Sequence, residues 1–292
     1  AALAFGSGWH ANVGTISALV DSGDMILSDE LNHASIVDGC RLSRAEVRVY
    51  PHKDIDALER ELKSSRHCRR LIVTDGVFSM DGDIAPLPEI AGLAEKYDAM
   101  LMVDEAHATG VFGKHGRGIV EHFDLQGRVD IIMGTLGKAL GCYGAYIVGR
   151  QELIEYLLNK ARSFIFTTSL PPALCAAAIR AFDIVEEEGW RREALWNNIR
   201  FFSEGLKRAW TSAPMSETQI FPLLIGDEQA TIKMCEDLLE EGVFCQGIRP
   251  PTVPSGGSRL RLTLMATHTK EHLNRVIAAL HKVLPLTLAS PP

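Results

Sequence analysis

Two short segments carry an acid, an imidazole and an amine where an active site would need them. The segment VDEAHATG at 103–110 places Asp104 and His107 at the end of an apolar run, and GTLGKALG at 134–141 places Lys138 between glycines after another apolar run. In α/β proteins the loops that follow the strands collect the functional side chains. A lysine that forms a Schiff base and an aspartate that faces a pyridine nitrogen together suit pyridoxal phosphate (PLP).

Each of these three side chains also has an ordinary structural interpretation. A lysine is most often a solvated surface charge, a strand-end aspartate often caps a turn, and a lone histidine is often structural. The small residues around Lys138 favour a functional amine, because they let a bulky ligand approach the backbone. The charge of Asp104 would keep a pyridine nitrogen protonated, and His107 would hydrogen-bond the phenolic oxygen of the same cofactor.

Further candidates are a histidine before a helix and several groups that suit phosphate. His33 in SDELNHASIVDG either begins the following helix or stacks on a planar cofactor, and the residues alone leave both open. Phosphate is bound by backbone N–H groups and hydroxyls near a helix start. The segment SGWHAN at 7–12, the hydroxyl of Thr135 and the run FTTS at 166–169 fit this need, although each serine or threonine could equally be a cap.

The loop RPPTVPSGGSRLR carries the arginines that could bind a substrate carboxylate. Arg249 and Arg261 flank this loop. A guanidinium matches both oxygens of a carboxylate, so it is the natural group for this task. Arg259 and Arg261 share one face of a strand by its period of two, and the pattern does not choose between them.

Short apolar strands alternate with amphipathic helices from residue 10 to residue 150. The predicted strands are 25–28, 47–50, 70–74, 99–104, 130–134 and 145–148. The predicted helices between them are 10–20, 34–43, 54–64 and 87–97. This alternation predicts a mostly parallel sheet flanked by helices.

The C-terminal part has a different texture and predicts a smaller α+β unit. Its predicted helices are 151–161, 173–188, 191–211, 231–241 and 270–283. Its predicted strands are 219–225, 243–245 and 259–263. We therefore expect a large domain over 1–175 and a small C-terminal domain over 176–292.

Composition narrows the function classes. The 292 residues are 46% hydrophobic and 23% charged, with a net charge of −7 and no basic block, which argues against nucleic acid as the main partner. No apolar run approaches the roughly 18 residues of a membrane span. Six scattered cysteines without a CxxC pair indicate reduced thiols in a cytoplasmic enzyme, and we expect no metal site. The chain begins AALAFG, without Met or a signal peptide, so we expect that an N-terminal portion is missing.

Five segments, taken in order, resemble those of the α-oxoamine synthases, PLP enzymes that join an amino acid to an acyl thioester and release CO2. They are SDELNHASI, TDGVFSMDGDIAPL, VDEAHATGVFGKHGRG, GTLGKALG and FTTSLPPA. The resemblance extends over nearly the whole chain. It implies an α/β protein of PLP fold type I, the aspartate-aminotransferase-like fold, with a mostly parallel sheet in the large domain and a smaller α+β C-terminal domain.

The resemblance also implies a role for each site residue. Lys138 would hold the cofactor as a Schiff base, Asp104 would pair with the pyridine nitrogen, and His107 would bind the ring oxygen. His33 would stack on the ring and assist catalysis. The other implied cofactor contacts are Gly8, Trp9, Asp75, Ser79 and Thr135, with Thr167 and Thr168 reaching the phosphate of a neighbouring subunit. The implied substrate contacts are Arg261 for the carboxylate and Thr252, and Arg249 is a further substrate candidate from its position beside the loop.

Within the family, the C-terminal stretch RPPTVPSGGSRLRLTLMATHT favours L-alanine and a pimeloyl thioester, carried by CoA or by a carrier protein, as substrates. The alternative is a member that uses glycine and acetyl-CoA. The resemblance implies a homodimer. Two other readings remain open: an aminotransferase on the same fold, and a paralogue that binds PLP without catalysis.

Three positions depart from the family pattern. His10 follows Trp9 where a small residue is more usual, and it has no predicted role. Asp75 stands where some members carry Glu. Gly134 stands where several members carry Ser or His, which removes one possible contact.

Overall fold

The structure, a computed structural model, describes three stretches of the chain: 1–67, 69–209 and 216–283. It divides into two compact units. The first unit comprises Ala1–Phe78 and Ala85–Gly189, and the second comprises Ser79–Ile84 and the chain from Trp190 onward. No helix in the described stretches is both long enough and apolar enough to cross a membrane.

A seven-stranded sheet forms the centre of the first unit. Its strands are β1 (Ala2–Phe5), β2 (Met25–Asp29), β3 (Glu46–Tyr50), β4 (Arg70–Asp75), β5 (Met100–Asp104), β6 (Ile131–Thr135) and β7 (Ala145–Gly149). The strand order is β1-β7-β6-β5-β4-β2-β3. Strands β2 to β6 are parallel, whereas β7 runs antiparallel to β6 and to β1. The predicted mostly parallel sheet is confirmed, with β1 added at the edge.

Helices connect and cover these strands. They are α1 (Gly8–Leu19), α2 (Ala34–Ser43), α3 (Ile55–Ser64), α4 (Leu87–Lys96), α5 (Ile119–His122), α6 (Gln151–Lys160), α7 (Arg162–Ile165) and α8 (Pro172–Glu187). Local sequence explains where several begin: Asp54 caps α3 by accepting the N–H of Ala57, and Pro88 occupies the first turn of α4. The four helices predicted between the strands correspond to α1, α2, α3 and α4.

The arrangement of the core delivers polar groups to one edge of the sheet. Strand β2 is buried along its whole length, and β4 and β5 nearly so, as expected for parallel strands covered on both faces. Polar residues occupy the carboxyl ends of four strands, namely Asp29 on β2, Asp75 on β4, Asp104 on β5 and Thr135 on β6. Loops that leave this edge therefore carry the candidate site.

The second unit is a smaller α+β arrangement. Its elements are α9 (Trp190–Ala209), β8 (Ile220–Gly226), α10 (Glu228–Glu240), β9 (Gln246–Ile248), β10 (Ser258–Thr263) and α11 (Lys270–Val283). The strands form an antiparallel sheet in the order β8-β10-β9. The short segment Ser79–Ile84 belongs to this unit, and the hydroxyl of Thr218 donates to its Gly82 carbonyl at 2.8 Å.

The first unit continues past the boundary predicted after residue 175. Helix α8 stays with it, because Ala178 packs against Leu136 and Leu140 in one buried cluster, with Val185 beside it. The change in sequence texture after residue 149 marks a run of helices rather than the border of a unit. Local sequence determines where a helix begins, whereas the surface against which the helix packs determines the unit to which it belongs.

The strand predicted at 243–245 was wrong. Residues 243–245 form a connection that follows Gly242, whose φ of +76° ends the helical turn, and the strand begins at Gln246. Val243 and Cys245 are buried, which explains why they resembled strand residues. Two other predictions touch undescribed residues: Cys68, and positions 210–211 of the helix predicted over 191–211. The described cysteines are free thiols.

Candidate active site

Two carboxylates lie side by side at the ends of β4 and β5. Asp75 and Asp104 are register partners, so their side chains leave the sheet on the same face. They expose only 5% and 2% of their surfaces. Burial raises the pKa of each carboxyl, and the charge of Asp104 raises the pKa of Asp75 further. This excess of buried negative charge would stabilise a cationic group of a ligand.

Hydrogen-bond donors hold Asp104 from two sides. The backbone N–H of Ala106 donates to Oδ1 at 2.9 Å, and Asn12 Nδ2 donates to Oδ2 at 2.9 Å. Both bonds favour the ionised carboxylate and lower its pKa against the effect of burial. Asn12 lies in the segment 7–12 that the sequence assigns to phosphate, but its side chain binds Asp104 instead.

His33 joins the second carboxylate through its backbone. Its N–H donates to Asp75 Oδ2 at 2.7 Å, and the N–H of Asp75 donates to Asn32 Oδ1 at 2.9 Å. His33 is also the N-cap of α2, where its Nδ1 accepts the N–H of Ser35. The ring itself is exposed. Of the two roles left open by the sequence, the helix-starting one is present, and it leaves a ring face available to a ligand.

Lys138 stands on a short loop that backbone hydrogen bonds close at its base. Leu136 N donates to the carbonyl of Gly144, and Cys142 N donates to the carbonyl of Leu136. The amine Nζ lies 3.5 Å from Thr135 Oγ1. Its positive charge lowers the pKa of Asp75 and Asp104, so the amine and both carboxylates share one electrostatic environment. The structure thus brings the predicted amine and acids together.

The start of α1 lies against the end of β6. Ser7 caps the helix, with its hydroxyl accepting the N–H of His10. A Cβ on Gly8 would come within 2.9 Å of the Thr135 methyl group, so the two residues are in close apposition. N–H groups of the first turn of a helix and a nearby hydroxyl form a suitable place for an anion. The indole of Trp9 is tied to α2 through a 3.0 Å hydrogen bond to Asp38.

Three further predicted cofactor contacts are accessible. Thr167 and Thr168 are exposed, as a contact to another subunit would require. Thr167 lines a surface cavity of about 310 Å³ together with Trp9 and His10. His107 is half-buried in the turn that follows β5.

The neighbour of Asp104 in the chain serves the fold. Glu105 is fully buried and accepts the N–H groups of Ile119 and Val120 at 2.8 and 2.7 Å, which caps the short helix α5. Burial raises the pKa of Glu105 to about 7. A Cβ on Gly118, where φ is +111°, would overlap this carboxylate, so the glycine is required here.

In the second unit, the structure distinguishes the two arginines of β10. Arg259 binds Asp81 Oδ1 at 2.6 Å and the carbonyls of Met80 and Gly257. Arg261 donates from Nη1 to the Ser79 carbonyl at 3.1 Å, while its Nε is buried without a hydrogen-bond partner. Burial lowers the pKa of Arg261. Arg259 is therefore paired with a carboxylate, whereas the hydrogen bonds of Arg261 include none.

The remaining predicted substrate residues belong to the loop between β9 and β10. Arg249 and Thr252 are both exposed, and the N–H of Thr252 donates to the Arg249 carbonyl at 3.0 Å. Ser79 is in the same unit, where its contact with Arg261 uses the backbone carbonyl.

Two departures from the family pattern have structural reasons. His10 Nδ1 lies 2.9 Å from the hydroxyl of the cap residue Ser7, and the His10 carbonyl accepts the hydroxyl of Ser163. His10 thus braces the start of α1. A Cβ on Gly134 would overlap the ring of Tyr146, its partner on β7, so a larger residue does not fit there.

Sequence reasoning assigned no role to Ser35 or Glu105, and it placed Asn12 only within the segment assigned to phosphate. Each is a polar residue buried within an element that otherwise reads as ordinary helix or turn. A buried polar residue needs a hydrogen-bond partner. That requirement, applied to Asn12 in the apolar stretch ANVGTISAL, is the signal that could have found its role.

Comparison with known proteins identifies the family. Residues 1–280 match the aminotransferase class I and II family, and the chain belongs to it. The 8-amino-7-oxononanoate synthase of Geobacter metallireducens is 56% identical over 281 residues, which is 95% of this chain and 72% of the relative. The enzyme of the same name from Geotalea daltonii is 55% identical over 287 residues, 97% of this chain and 73% of the relative.

Solved structures agree with this assignment. Serine palmitoyltransferase of Sphingomonas wittichii superposes with a TM-score of 0.93 at 34% identity, covering 99% of this chain and 73% of that one. The 8-amino-7-oxononanoate synthase of Francisella tularensis gives 0.81 at 31% identity, covering 96% and 81%. Serine palmitoyltransferase of S. paucimobilis with a bound PLP–myriocin aldimine gives 0.92 at 34%, covering 97% and 72%. The predicted fold class and the resemblance to α-oxoamine synthases are confirmed.

The residues of the first unit fit pyridoxal phosphate. Lys138 offers an amine, Asp104 a buried carboxylate, and the start of α1 with Thr135 an anion site. Each would meet a different part of that cofactor: its aldehyde, its ring nitrogen and its phosphate. Among the described residues, no group of three or more His, Cys, Asp or Glu could hold a metal ion.

Proposed function

We propose that this protein is an 8-amino-7-oxononanoate synthase of biotin biosynthesis. It would use PLP to condense L-alanine with a pimeloyl thioester, carried by CoA or a carrier protein, with release of CO2 and the free thiol. The observation that carries the proposal is the identity of 52–56% over 95–97% of the chain to relatives of that name. The geometry of the first unit supports it, because an amine, two carboxylates and an anion site converge there.

When bound, PLP supplies an aldehyde carbon that amines attack and a ring that withdraws electrons from the substrate. Lys138 would hold the aldehyde carbon until alanine replaces it, and its freed amine would then take the Cα proton of alanine. Asp104 would keep the ring nitrogen protonated. That task needs an ionised carboxylate, and the donors Asn12 and Ala106 favour this form.

The other residues bind and orient. Gly8, Trp9 and Thr135 would surround the phosphate, a role supported by the contact between Gly8 and Thr135. His33 would lie on the ring and His107 would bind its oxygen. Asp75 holds the backbone of His33, and Ser79 lies in the segment that contacts Arg261. Thr167 and Thr168 would reach the phosphate of a second subunit in a homodimer.

Substrate recognition falls to the second unit. Arg261 would bind the alanine carboxylate, because its Nε has no partner and its hydrogen bonds include no carboxylate. Thr252 and Arg249 lie on an exposed loop and would contact the substrates. A cation held without an anionic partner favours a ligand that supplies one.

Product mass spectrometry tests the proposal. Purified protein with PLP is given L-alanine or glycine, each with pimeloyl-CoA or acetyl-CoA, while CO2 and free thiol are measured in parallel. We expect 8-amino-7-oxononanoate from L-alanine and pimeloyl-CoA as the main product. A product from glycine and acetyl-CoA alone would transfer the assignment to another α-oxoamine synthase. Amino transfer to a keto acid without CO2 would indicate an aminotransferase, and PLP binding without turnover would indicate a non-catalytic paralogue.

A further inference from the structure

A chain of hydrogen bonds links the buried carboxylate of Asp104 to the exposed ring of His33. Asn12 Nδ2 donates one N–H to Asp104 Oδ2 and the other to Ser35 Oγ, both at 2.9 Å. Ser35 Oγ in turn lies 2.7 Å from His33 Nδ1. The two connecting residues are almost completely buried, Asn12 with 0% and Ser35 with 1% of its surface exposed.

The direction of each bond follows from the groups involved. The backbone N–H of Ser35 donates to His33 Nδ1 at 3.2 Å, so Nδ1 presents its lone pair. The Ser35 hydroxyl accepts from Asn12, and because Nδ1 is an acceptor, the hydroxyl donates its own hydrogen to this nitrogen. In the neutral ring, the proton of His33 then resides on Nε2, the nitrogen away from this network.

The side chain of Asn12 uses both of its donors in this network but leaves its acceptor unpaired. Its carbonyl Oδ1 is buried without a hydrogen-bond partner, although both N–H groups are used. An unsatisfied buried acceptor is destabilising. Turning the amide over would withdraw both donors from Asp104 and Ser35. The orientation of Asn12 is therefore set by the two acceptors that it serves.

We propose that Asn12 and Ser35 are positioning residues that make Asp104 and His33 one unit toward the cofactor. Asn12 orients the carboxylate that faces the ring nitrogen, and Ser35 sets the tautomer and the plane of the His33 ring. Asp75 holds the same histidine from its backbone side, through the 2.7 Å bond to Oδ2. The assignment rests on the proposed binding of PLP. It requires no contact between the cofactor and either positioning residue.

The test uses Asn12→Ala, Ser35→Ala and the double variant in the full chain. Matched controls remove buried hydroxyls from the same helices outside the network. Thr15→Val does so on α1, where the Thr15 hydroxyl has no hydrogen-bond partner. Ser43→Ala does so on α2, where Ser43 binds the Cys40 carbonyl. The measurements are the dissociation constant for PLP, kcat and KM for L-alanine, and the ¹⁵N resonances of His33 in the cofactor-free protein.

Asn12→Ala should raise the PLP dissociation constant roughly 10–100-fold, because the charged carboxylate loses a donor. Ser35→Ala leaves the bond from Asn12 to Asp104 intact, so it should lower kcat about tenfold with a change in PLP affinity below about threefold. In the Asn12→Ala background, Ser35→Ala should add less than about a factor of two, because residues of one network are not additive. Additive effects, or effects equal to those of the controls, would overturn the proposal.

The ¹⁵N measurement keeps the proposal testable if Asn12→Ala does not fold. In its neutral form, His33 of the unmodified protein should show an unprotonated Nδ1 and a protonated Nε2. Ser35→Ala should shift the Nδ1 resonance, whereas Ser43→Ala should not. A His33 spectrum unchanged by Ser35→Ala would reject the network. Because this readout needs neither PLP nor substrate, it separates the positioning role from the proposed function: a failed condensation assay leaves it standing.

Discussion

Each unit holds a pair of like charges: two carboxylates at the strand ends of the first unit, and two arginines on strand β10 of the second. The two pairs differ in how their charges are compensated. Asp75 and Asp104 are buried together and both have a raised pKa. On β10, Arg259 is neutralised by Asp81, whereas Arg261 is half-buried with a lowered pKa and an unused donor. Burial therefore disfavours the charged form of both carboxylates in the first pair, whereas in the second pair it does so for Arg261, and Asp81 compensates the charge of Arg259.

This difference indicates what each region binds. A buried group whose charged form is disfavoured gains most when a ligand of opposite charge arrives. The acidic pair therefore suits the protonated ring nitrogen of PLP, and Arg261 suits the carboxylate of an amino acid. Arg259 shows the contrasting case, in which the protein supplies the counter-charge and the residue stabilises its own unit.

Removing the cation of the acidic region should have the largest effect. Lys138→Ala eliminates the amine whose charge acts on both carboxylates and that we assign to the aldehyde carbon and the Cα proton. We expect kcat to fall roughly 10⁴-fold or more. The visible absorbance of the Schiff base between PLP and Lys138 should also be lost. Turnover at the normal rate in this variant would reject the whole assignment.

The two members of the acidic pair should not be equivalent. Asp104→Asn keeps the size of the side chain but removes the charge assigned to the ring nitrogen, so kcat/KM should fall roughly 10²–10³-fold. Asp75→Asn keeps an acceptor for the His33 N–H and relieves the repulsion, so its loss should stay below about tenfold, or 1.4 kcal/mol. Steady-state kinetics of both variants decide between them. Equal losses of kcat/KM in the two variants would mean that Asp75 and Asp104 contribute equally, and would contradict the separate roles assigned to them.

The arginine pair should separate binding from stability. Arg261→Lys keeps the charge but loses the planar fork, and we expect KM for L-alanine to rise roughly 10–100-fold with a smaller change in kcat. Arg259→Lys should leave KM nearly unchanged and lower Tm, because Arg259 bonds to Asp81 and two backbone carbonyls. A larger rise of KM in Arg259→Lys than in Arg261→Lys would reverse our assignment.

The parts of this site that follow from linear patterns could be predicted from the sequence. Small neighbouring residues indicate a functional role for Lys138, and the end of an apolar run indicates one for Asp104. The strands β2 to β7 are predicted by apolar runs. Strand β1 was missed because four residues at a sheet edge carry little pattern. The choice between Arg259 and Arg261 was also out of reach, because it depends on Asp81, which is distant in sequence.

Side chains that act on other side chains were the hardest to predict. Asn12 lies 92 positions from Asp104 in the sequence, and nothing local indicates that its amide binds that carboxylate. Its neighbour Ser7 behaves as local rules require, since a serine before a helix caps it. The spacing of residues in the sequence predicts local interactions such as caps. Contacts between strand ends and helices depend on how the chain packs, so spacing does not predict them.

A third buried acid, Glu105, sharpens the comparison through the pH dependence of stability. Its pKa is raised from 4.5 to about 7, so the folded protein holds a proton that the unfolded chain has released. The stability contributed by the neutral acid is complete below pH 4.5, and about 3 kcal/mol is lost as the pH rises to about 7. Glu105→Gln removes this titration but disturbs the cap of α5, so the variant should be less stable yet less dependent on pH. Denaturant unfolding of the cofactor-free protein across this pH range measures both properties. Equal slopes for the two proteins would show that Glu105 stays ionised, with its two backbone donors outweighing burial.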